Sequence, residues 1–205
     1  MRLGKDLTGK PIYSITDGQN LGSVKDVYFD NDLNIITGIF TGTEGLLKRK
    51  SLMIPSNQVS VYGIDAVLVN DNDVIMQEDN HDDAKSWVRL SKLKGREVDT
   101  PGGTRVATIG DVVLGEQGNI IGFALSKVFV EGPVAQQGQI SRSAIVDTGN
   151  EDGVMTINLT QAEVGESETA PQKNEPAAES DTETAVSSKP DSATPPVDEL
   201  DTLSN

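Results

Sequence analysis

Residues 24–29 (VKDVYF) and residues 35–40 (IITGIF) flank the segment 30–34 (DNDLN), and this stretch decides the fold. β-Branched and aromatic residues on both sides of an Asn- and Asp-rich segment are typical of a β-hairpin. Further short strands are predicted near residues 52–55, 58–62 and 66–69, because turn residues separate these apolar runs. The first part of the chain is therefore predicted to be rich in strands.

The same order of motifs returns about 86 residues later in the chain, as a search for internal repeats shows. Residues 7–10 (LTGK) align with 93–96 (LKGR), and residues 22–27 (GSVKDV) align with 107–112 (ATIGDV). The further matches are residues 34–36 with 119–121, 54–59 with 140–145, Gly63 with Gly149, and 66–69 with 154–157. A repeated order of this kind predicts two copies of one small module.

Each copy is too small to form an open sheet without exposed edges, and curling it into a barrel removes them. The fold class is therefore predicted to be all-β, with two small β-barrels in tandem. We assign the first barrel to residues 1–78 and the second, degenerate barrel to residues 91–161. Residues 79–90 form a polar linker, in which residues 84–90 suit one or two helical turns.

Two residue types recur at fixed places in the predicted module. Asp26 and Asp111 occupy equivalent positions in strands that are otherwise apolar. The alternation of a half-buried strand predicts that both carboxylates face solvent. Glycines at positions 9, 22, 38 and 63 are expected at tight turns or bends.

Residues 162–205 differ in composition from the rest of the chain. They carry 11 acidic residues and 2 lysines, which accounts for −9 of the total net charge of −15. They include five of the nine prolines and no aromatic residue. Such a segment cannot bury enough apolar surface to offset the loss of backbone entropy. It is predicted to be a disordered acidic tail.

Composition excludes several classes of protein. Without cysteine, the chain has no disulfide framework, thiolate nucleophile, iron–sulfur cluster or cysteine-built zinc site. The sequence has neither an apolar run of membrane-spanning length nor a signal-peptide stretch at its start, so we expect no membrane insertion and a cytoplasmic location. The acidic balance disfavours nonspecific binding to nucleic acid.

Motifs for catalysis, cofactors and metals are not found in the sequence. His81 is the only histidine and lies in the polar linker, and the sequence contains no Gly-x-Ser-x-Gly motif and no phosphate-binding loop. Residues 30–34 begin like a calcium loop, but Ile35 and Thr41 stand where that loop needs Gly and Glu. The acidic residues from Glu78 to Asp83 are interpreted as a solvated linker. No enzyme activity, catalytic residue, cofactor or metal is therefore expected.

Lys48, Arg49 and Lys50 form the one compact basic cluster of the sequence, preceded by two leucines on what we expect to be a loop. These three residues are the predicted partner-binding site. An acidic protein, RNA or the acidic tail of the same chain suits their charge. The alternative is an ordinary solubilising loop.

The motifs of the first copy resemble those of the PRC-barrel domains. The resemblance rests on residues 7–10, 21–30 (LGSVKDVYFD), 36–38, 54–59 (IPSNQV) and 63–69 (GIDAVLV), and covers residues 3–76. The second copy is similar but degraded, with Ser141 where the first has Pro55. The resemblance implies a six-stranded barrel that serves as a protein-binding or structural module, with no catalytic or ligand residues attached to its motif.

This resemblance limits the function to a few classes. Stand-alone prokaryotic PRC-barrel proteins are the more similar members, and the cytoplasmic part of the reaction-centre H subunit and the C-terminal domain of a ribosome maturation factor are distant ones. We expect a non-enzymatic protein-interaction or scaffold module with a protein partner. The alternatives are an RNA- or ribosome-associated assembly factor, which would reach nucleic acid through a ribosomal complex, and a peripheral subunit of a membrane complex of photosynthetic type. A basic patch joining Lys48–Lys50 to Lys85, Arg89, Lys92, Lys94 and Arg96 would favour the RNA-associated alternative.

Overall fold

A computed structural model describes residues 2–45, 48–150 and 153–164 of the chain. In this part, short strands follow one another with three α-helices of four to six residues between or after them. The strands are β1 (Arg2–Leu3), β2 (Pro11–Ser14), β3 (Asn20–Ser23), β4 (Asp26–Phe29), β5 (Ile36–Glu44), β6 (Lys50–Pro55), β7 (Val59–Tyr62), β8 (Val67–Val69), β9 (Met76–Gln77), β10 (Val88–Arg89), β11 (Glu97–Asp99), β12 (Arg105–Leu114), β13 (Ile120–Val128), β14 (Gln139–Ser141), β15 (Ile145–Asp147) and β16 (Met155–Ile157). The α-helices are α1 (Leu90–Leu93), α2 (Pro133–Gln137) and α3 (Leu159–Val164). The fold is thus mainly β-sheet, as predicted.

The strands form three sheets in the described part of the chain. One sheet has the order β3-β2-β8-β7, and a second has the order β10-β4-β5-β6-β9. The third has the order β14-β13-β12-β11-β16-β15, with β1 added on β12. For the description below, the first half of the fold is residues 2–87 and the second half is residues 88–164.

The hairpin predicted around residues 30–34 is present. β4 and β5 pair antiparallel, with Val27 opposite Ile39 and Tyr28 opposite Gly38. The Asp30 carboxylate accepts hydrogen bonds from the backbone N–H groups of Asn34 (2.7 Å) and Ile35 (2.8 Å). This side chain therefore satisfies the backbone of its own turn, which is the usual use of Asp at such a position.

Pairing patterns of the first half recur in the second half. The parallel pair β2–β8 places Ile12 opposite Val67, and the parallel pair β11–β16 places Val98 opposite Met155. The antiparallel pair β4–β5 places Asp26 opposite Phe40, and β12–β13 places Asp111 opposite Ala124. The partners in the second half lie 84 to 88 positions after those in the first, close to the 86-residue offset of the sequence motifs.

The two halves exchange their opening strands. β1 of the first half pairs with β12 of the second, with Arg2 opposite Leu114. β10 of the second half pairs with β4 of the first, with Val88 opposite Phe29. Each half therefore completes a sheet of the other, and the residues that the structure describes belong to one compact unit.

Asp26 and Asp111 are buried, so the prediction that they face solvent is wrong. The Asp111 carboxylate accepts hydrogen bonds from the backbone N–H groups of Val112 (2.9 Å) and Lys5 (3.1 Å). The Asp26 carboxylate accepts from Val27 (2.8 Å) and Ser91 (3.3 Å). The alternation rule assumes that water covers the outer face of a strand. Here the exchanged segment of the other half covers it, and each carboxylate caps a helical turn of that segment.

A second contact between the halves is made by their hairpin turns. Ile35 and Asn119 form an antiparallel bridge. The N–H of Ile36 donates to the carbonyl of Gly118 (3.0 Å), and the N–H of Ile120 donates to that of Asn34 (2.7 Å). Buried apolar residues of both halves, including Val27, Phe29, Val112 and Leu114, belong to one continuous hydrophobic cluster.

The polar linker and the start of the tail are more structured than the sequence indicated. Residues predicted as linker form two 3₁₀-helices (Glu78–Asn80 and Asp82–Ser86), strand β10 and the start of α1. Ala162, assigned to the tail, is buried within α3. The predicted disorder of residues 165–205 lies outside the described residues.

A helix long and apolar enough to span a bilayer does not occur among the described residues.

Replacing Asp111 with Ala removes the acceptor for the N–H groups of Lys5 and Val112. Because a buried donor without a partner costs about 1–3 kcal/mol, we expect the free energy of unfolding to fall by that amount in urea denaturation. Asp111→Asn keeps an acceptor oxygen and should lose less. The exposed Asp65 serves as control, and Asp65→Ala should change stability by no more than about 0.5 kcal/mol. Equal effects of the two Ala variants would contradict the capping role.

A protease recognition sequence inserted between Asp79 and Asn80, which are exposed, tests the exchange of strands. After cleavage of the folded protein, we expect both fragments to elute together from a sizing column, because β1 and β10 each remain paired with the other fragment. In urea the fragments should separate. Separation under native conditions would show that the exchanged strands do not hold the halves together.

Candidate functional site

An aromatic cluster lies where the linker crosses the first half. Trp87 packs against Tyr28, with ring centroids 5.9 Å apart, and Phe40 meets Tyr28 edge-on at 6.3 Å. Met53 and Ala84 are buried in the same cluster. Because an aromatic pair of this kind stabilises beyond its buried area, the linker is held against the sheet and is not a solvated connection, which corrects its interpretation from the sequence.

Arg89 joins this cluster to the acidic end of the linker. Its Nη2 atom donates hydrogen bonds to Glu78 Oε2 (2.7 Å) and to the Tyr28 hydroxyl (2.7 Å). The Tyr28 hydroxyl in turn donates to Glu78 Oε2 at 2.8 Å. The guanidinium lies 4.1 Å from the centre of the Phe40 ring, which is a cation–π distance. Glu78, predicted to be part of a solvated acidic run, is thus half-buried in an ion pair.

The Tyr28 hydroxyl is strongly perturbed by this position. Burial raises the pKa of Tyr28 above its ordinary value of 10.0, and the hydrogen bond to Glu78 raises it further. Burial likewise raises the pKa of Tyr62, which lies in β7. Both phenols therefore stay neutral to higher pH than a free tyrosine.

His81 lies beside the same cluster. Its ring centroid is 4.7 Å from that of Trp87, and its Nδ1 atom is buried without a hydrogen-bond partner among the described residues. A catalytic histidine is oriented by a hydrogen bond to a third group. The position of His81 against an indole instead supports a packing role.

Basic side chains border two adjoining clefts at this face. The first cleft is lined by Lys85, Trp87, Arg89 and Lys92, together with Tyr28, Glu78 and Ala84. The second is lined by Lys92, Lys94 and Arg96, together with Gly95, Glu97, Gly153 and Val154. Lys92 belongs to both clefts, so we call the exposed side chains of Lys85, Lys92 and Lys94, together with the partly buried Arg89, the basic face. Arg96 is buried and donates a hydrogen bond to the carbonyl of Thr148 (2.6 Å), so it does not belong to this exposed surface.

The predicted partner-binding cluster lies at the start of β6. Lys48 and Arg49 are exposed, whereas Lys50 donates a hydrogen bond from Nζ to the Gln77 side chain at 2.7 Å. Lys50 is therefore part of a strand and not of a loop, which corrects that expectation. The hydroxyl of the next residue, Ser51, accepts a hydrogen bond from Arg89 (3.3 Å), so this cluster approaches the basic face at one end.

The aromatic cluster around Tyr28 and Trp87 was missed in the sequence. The sequence does contain an indication of this cluster, because the only tryptophan of the chain lies in the polar linker. A large aromatic residue in such a segment indicates that the segment is packed. Its partners across the sheet have no comparable signal in the sequence.

Comparison with known proteins supports the family resemblance for part of the chain. Residues 1–80 match the PRC-barrel domain family. This confirms the resemblance predicted over residues 3–76. Among curated proteins, none matches the chain.

Titration of the tyrosines tests the environment of Tyr28 and Tyr62. In the folded protein, we expect both phenols to ionise at higher pH than in the urea-unfolded chain, as followed by the ultraviolet absorbance of phenolate. Tyr28→Phe and Tyr62→Phe should each remove part of the late absorbance change. Because the pKa of each phenol is higher in the folded protein, the neutral tyrosines contribute to the free energy of unfolding below pH 10.0. This contribution is lost as the pH rises above 10.0, where the unfolded chain ionises first. A titration that is the same in folded and unfolded protein would contradict the assignment.

Proposed function

We propose that this protein is a non-enzymatic protein-interaction or scaffold module of the prokaryotic cytoplasm, built from two PRC-type barrels in tandem. The first barrel comprises residues 1–78 and the second residues 91–161, with residues 79–90 between them. The family match over residues 1–80 supports the first barrel. The recurrence of the parallel pairs β2–β8 and β11–β16 supports the second.

The exchange of opening strands is the observation that carries this proposal. Two barrels joined by a flexible linker would present independent surfaces. Here β1 and β10 each complete a sheet of the other half, so the two barrels share a core and form one platform. A rigid platform is suited to hold a partner in a fixed orientation, because little conformational entropy is lost on binding.

The position of the single histidine supports the non-enzymatic part of the proposal. General acid–base catalysis needs a base whose orientation is fixed near the reacting atoms. His81 packs against Trp87, and Arg89, Glu78 and Tyr28 satisfy one another. These groups stabilise the linker. The predicted acidic tail would then adjust solubility or the choice of partner.

An RNA- or ribosome-associated role is the second candidate, and the basic face favours it. Three exposed lysines (Lys85, Lys92 and Lys94) and Arg89, which is paired with Glu78, line two adjoining clefts of a chain whose net charge is −15. A local group of basic side chains would allow an acidic protein to contact RNA phosphates, although the net charge of the protein repels them. Trp87 is partly buried and lines the cleft at the edge of this face, where an aromatic ring would contribute to base stacking.

Affinity capture with the full chain in its native cells separates these two functions. For a protein-interaction module, we expect a protein partner that is retained after nuclease treatment and at raised salt. For an RNA-associated factor, capture should be lost with nuclease and should weaken steeply with salt concentration, since bound phosphates release counterions. Enrichment of ribosomal proteins alone, lost on nuclease treatment, would overturn the first proposal.

Two matched double variants locate the surface that is used. Lys85→Glu with Lys94→Glu changes the basic face, and Lys48→Glu with Arg49→Glu makes the same charge change at the predicted partner-binding cluster. Loss of capture in the first variant alone assigns binding to the basic face. Loss in the second alone confirms the prediction for Lys48–Lys50. Unchanged capture in both would show that neither basic surface contacts the partner.

A further inference from the structure

Two clefts flank the contact between the hairpin turns of the halves. The Arg142 cleft lies between the turn at Asn31–Asn34 and residues of the second half that include Arg142, Asp147 and Thr148. The Tyr62 cleft lies between the turn at Glu116 and Gln117 and residues of the first half that include Ser56, Val61 and Tyr62. The pairing pattern that recurs in the two halves places these clefts at corresponding positions.

In the Arg142 cleft, the chain supplies a guanidinium group to the turn. Arg142 Nε donates to the carbonyl of Leu33 (2.8 Å), and its Nη2 donates to that of Asp32 (2.5 Å). The Thr148 hydroxyl donates to the carbonyl of Asn31 at 3.0 Å. Three successive turn carbonyls are therefore satisfied by side chains of the opposite half.

In the Tyr62 cleft, the corresponding side chains are different. Ser56 is the first residue of a 3₁₀-helix (Ser56–Gln58), as Arg142 is of the matching 3₁₀-helix (Arg142–Ala144). Tyr62 stands where the second half has Thr148, and its hydroxyl is buried without a partner among the residues that the structure describes. Serine is too short to reach the turn as Arg142 does, and none of the residues that line this cleft carries a guanidinium. The guanidinium of Arg2 lies beside Tyr62 but donates to the carbonyls of Tyr62 and Gly63.

The walls of the Tyr62 cleft suit a long basic side chain. Glu116 and Gln117 are exposed at its rim, and the Glu116 carboxylate provides a charged acceptor. Ile35 and Val61 are 45% and 47% exposed, which leaves apolar surface along the cleft. The methylene stem of an arginine packs on such surface while its planar head donates to carbonyl and carboxylate oxygens.

We propose that the Tyr62 cleft binds an arginine side chain presented by the partner protein. The proposal rests on the interaction function proposed above and names the chemistry that the partner carries. The precedent within the molecule is Arg142, whose guanidinium binds the matching turn in the corresponding cleft. The net charge of −15 attracts a cationic partner over longer distances.

NMR titration of the full chain with a short capped peptide containing one arginine tests the proposal. We expect shift changes at the backbone amides of Ile36, Tyr62 and Gly118. The matched lysine peptide should bind about tenfold more weakly, because a lysine ammonium makes one charged hydrogen bond where the guanidinium fork makes two. Equal affinity for the two peptides, or shifts spread over the acidic surface, would overturn the proposal.

Two serine variants provide the controls. Ser56→Arg places the missing side chain in the Tyr62 cleft and should abolish the peptide-induced shifts, as Arg142 does in its own cleft. Ser91→Arg adds the same charge at an exposed position of α1 and should leave peptide binding unchanged. If Ser91→Arg weakens binding as strongly as Ser56→Arg, net charge explains the effect and the proposal fails.

Capture of the protein partner distinguishes this proposal from the function on which it rests. If Ser56→Arg abolishes both peptide binding and partner capture, the cleft is the docking site. If the parent protein captures its partner but no arginine peptide binds, the interaction function stands and the arginine site is rejected. If peptide binds and Ser56→Arg still captures the partner, the cleft is not used by that partner and the proposal is likewise rejected.

Discussion

Two buried carboxylates, Asp26 and Asp111, determine how the two halves of this protein are joined. Each accepts hydrogen bonds from its own strand and from a helical turn that belongs to the opposite half. A buried carboxylate is tolerated only where hydrogen bonds replace its hydration. Asp26 and Asp111 each receive a hydrogen bond from the opposite half only when the two halves are assembled, whereas the Oδ2 atom of Asp111 has no hydrogen-bond partner among the described residues. The exchanged strands β1 and β10 lie next to these contacts in the chain.

The halves share a pairing pattern but differ in the side chains that surround it. At the position of Tyr28, which anchors the aromatic cluster, the second half has Val113. At the position of Arg142, which closes one turn with two hydrogen bonds, the first half has Ser56. Tyr28 is fully buried in the aromatic cluster, whereas Arg142 lines a cleft between the halves, so both differences lie outside the shared hydrophobic cluster. The two halves thus share a pairing pattern and carry different side chains at corresponding positions.

The linker is the element that makes the first half distinct. Trp87 and Arg89 fix it against the sheet through ring contacts and a hydrogen-bonded ion pair with Glu78. This packing brings Lys85 and Lys92 beside Lys94 and so creates the basic face from residues that are spread along the linker and α1. The charge of this face is local, whereas the net charge of the molecule is strongly acidic.

The sequence alone determined the strand-rich fold, the hairpin around residues 30–34, the family of residues 1–80 and the 86-residue offset, because alternation and turn chemistry are local properties. The prediction that Asp26, Asp111 and Glu78 are exposed to solvent was wrong, because the burial of a polar side chain depends on segments that are distant in the chain. The tertiary structure decided which strands are exchanged, which charges form one face and which turn lacks a guanidinium. These depend on contacts between residues 60 to 110 positions apart, which no local pattern records.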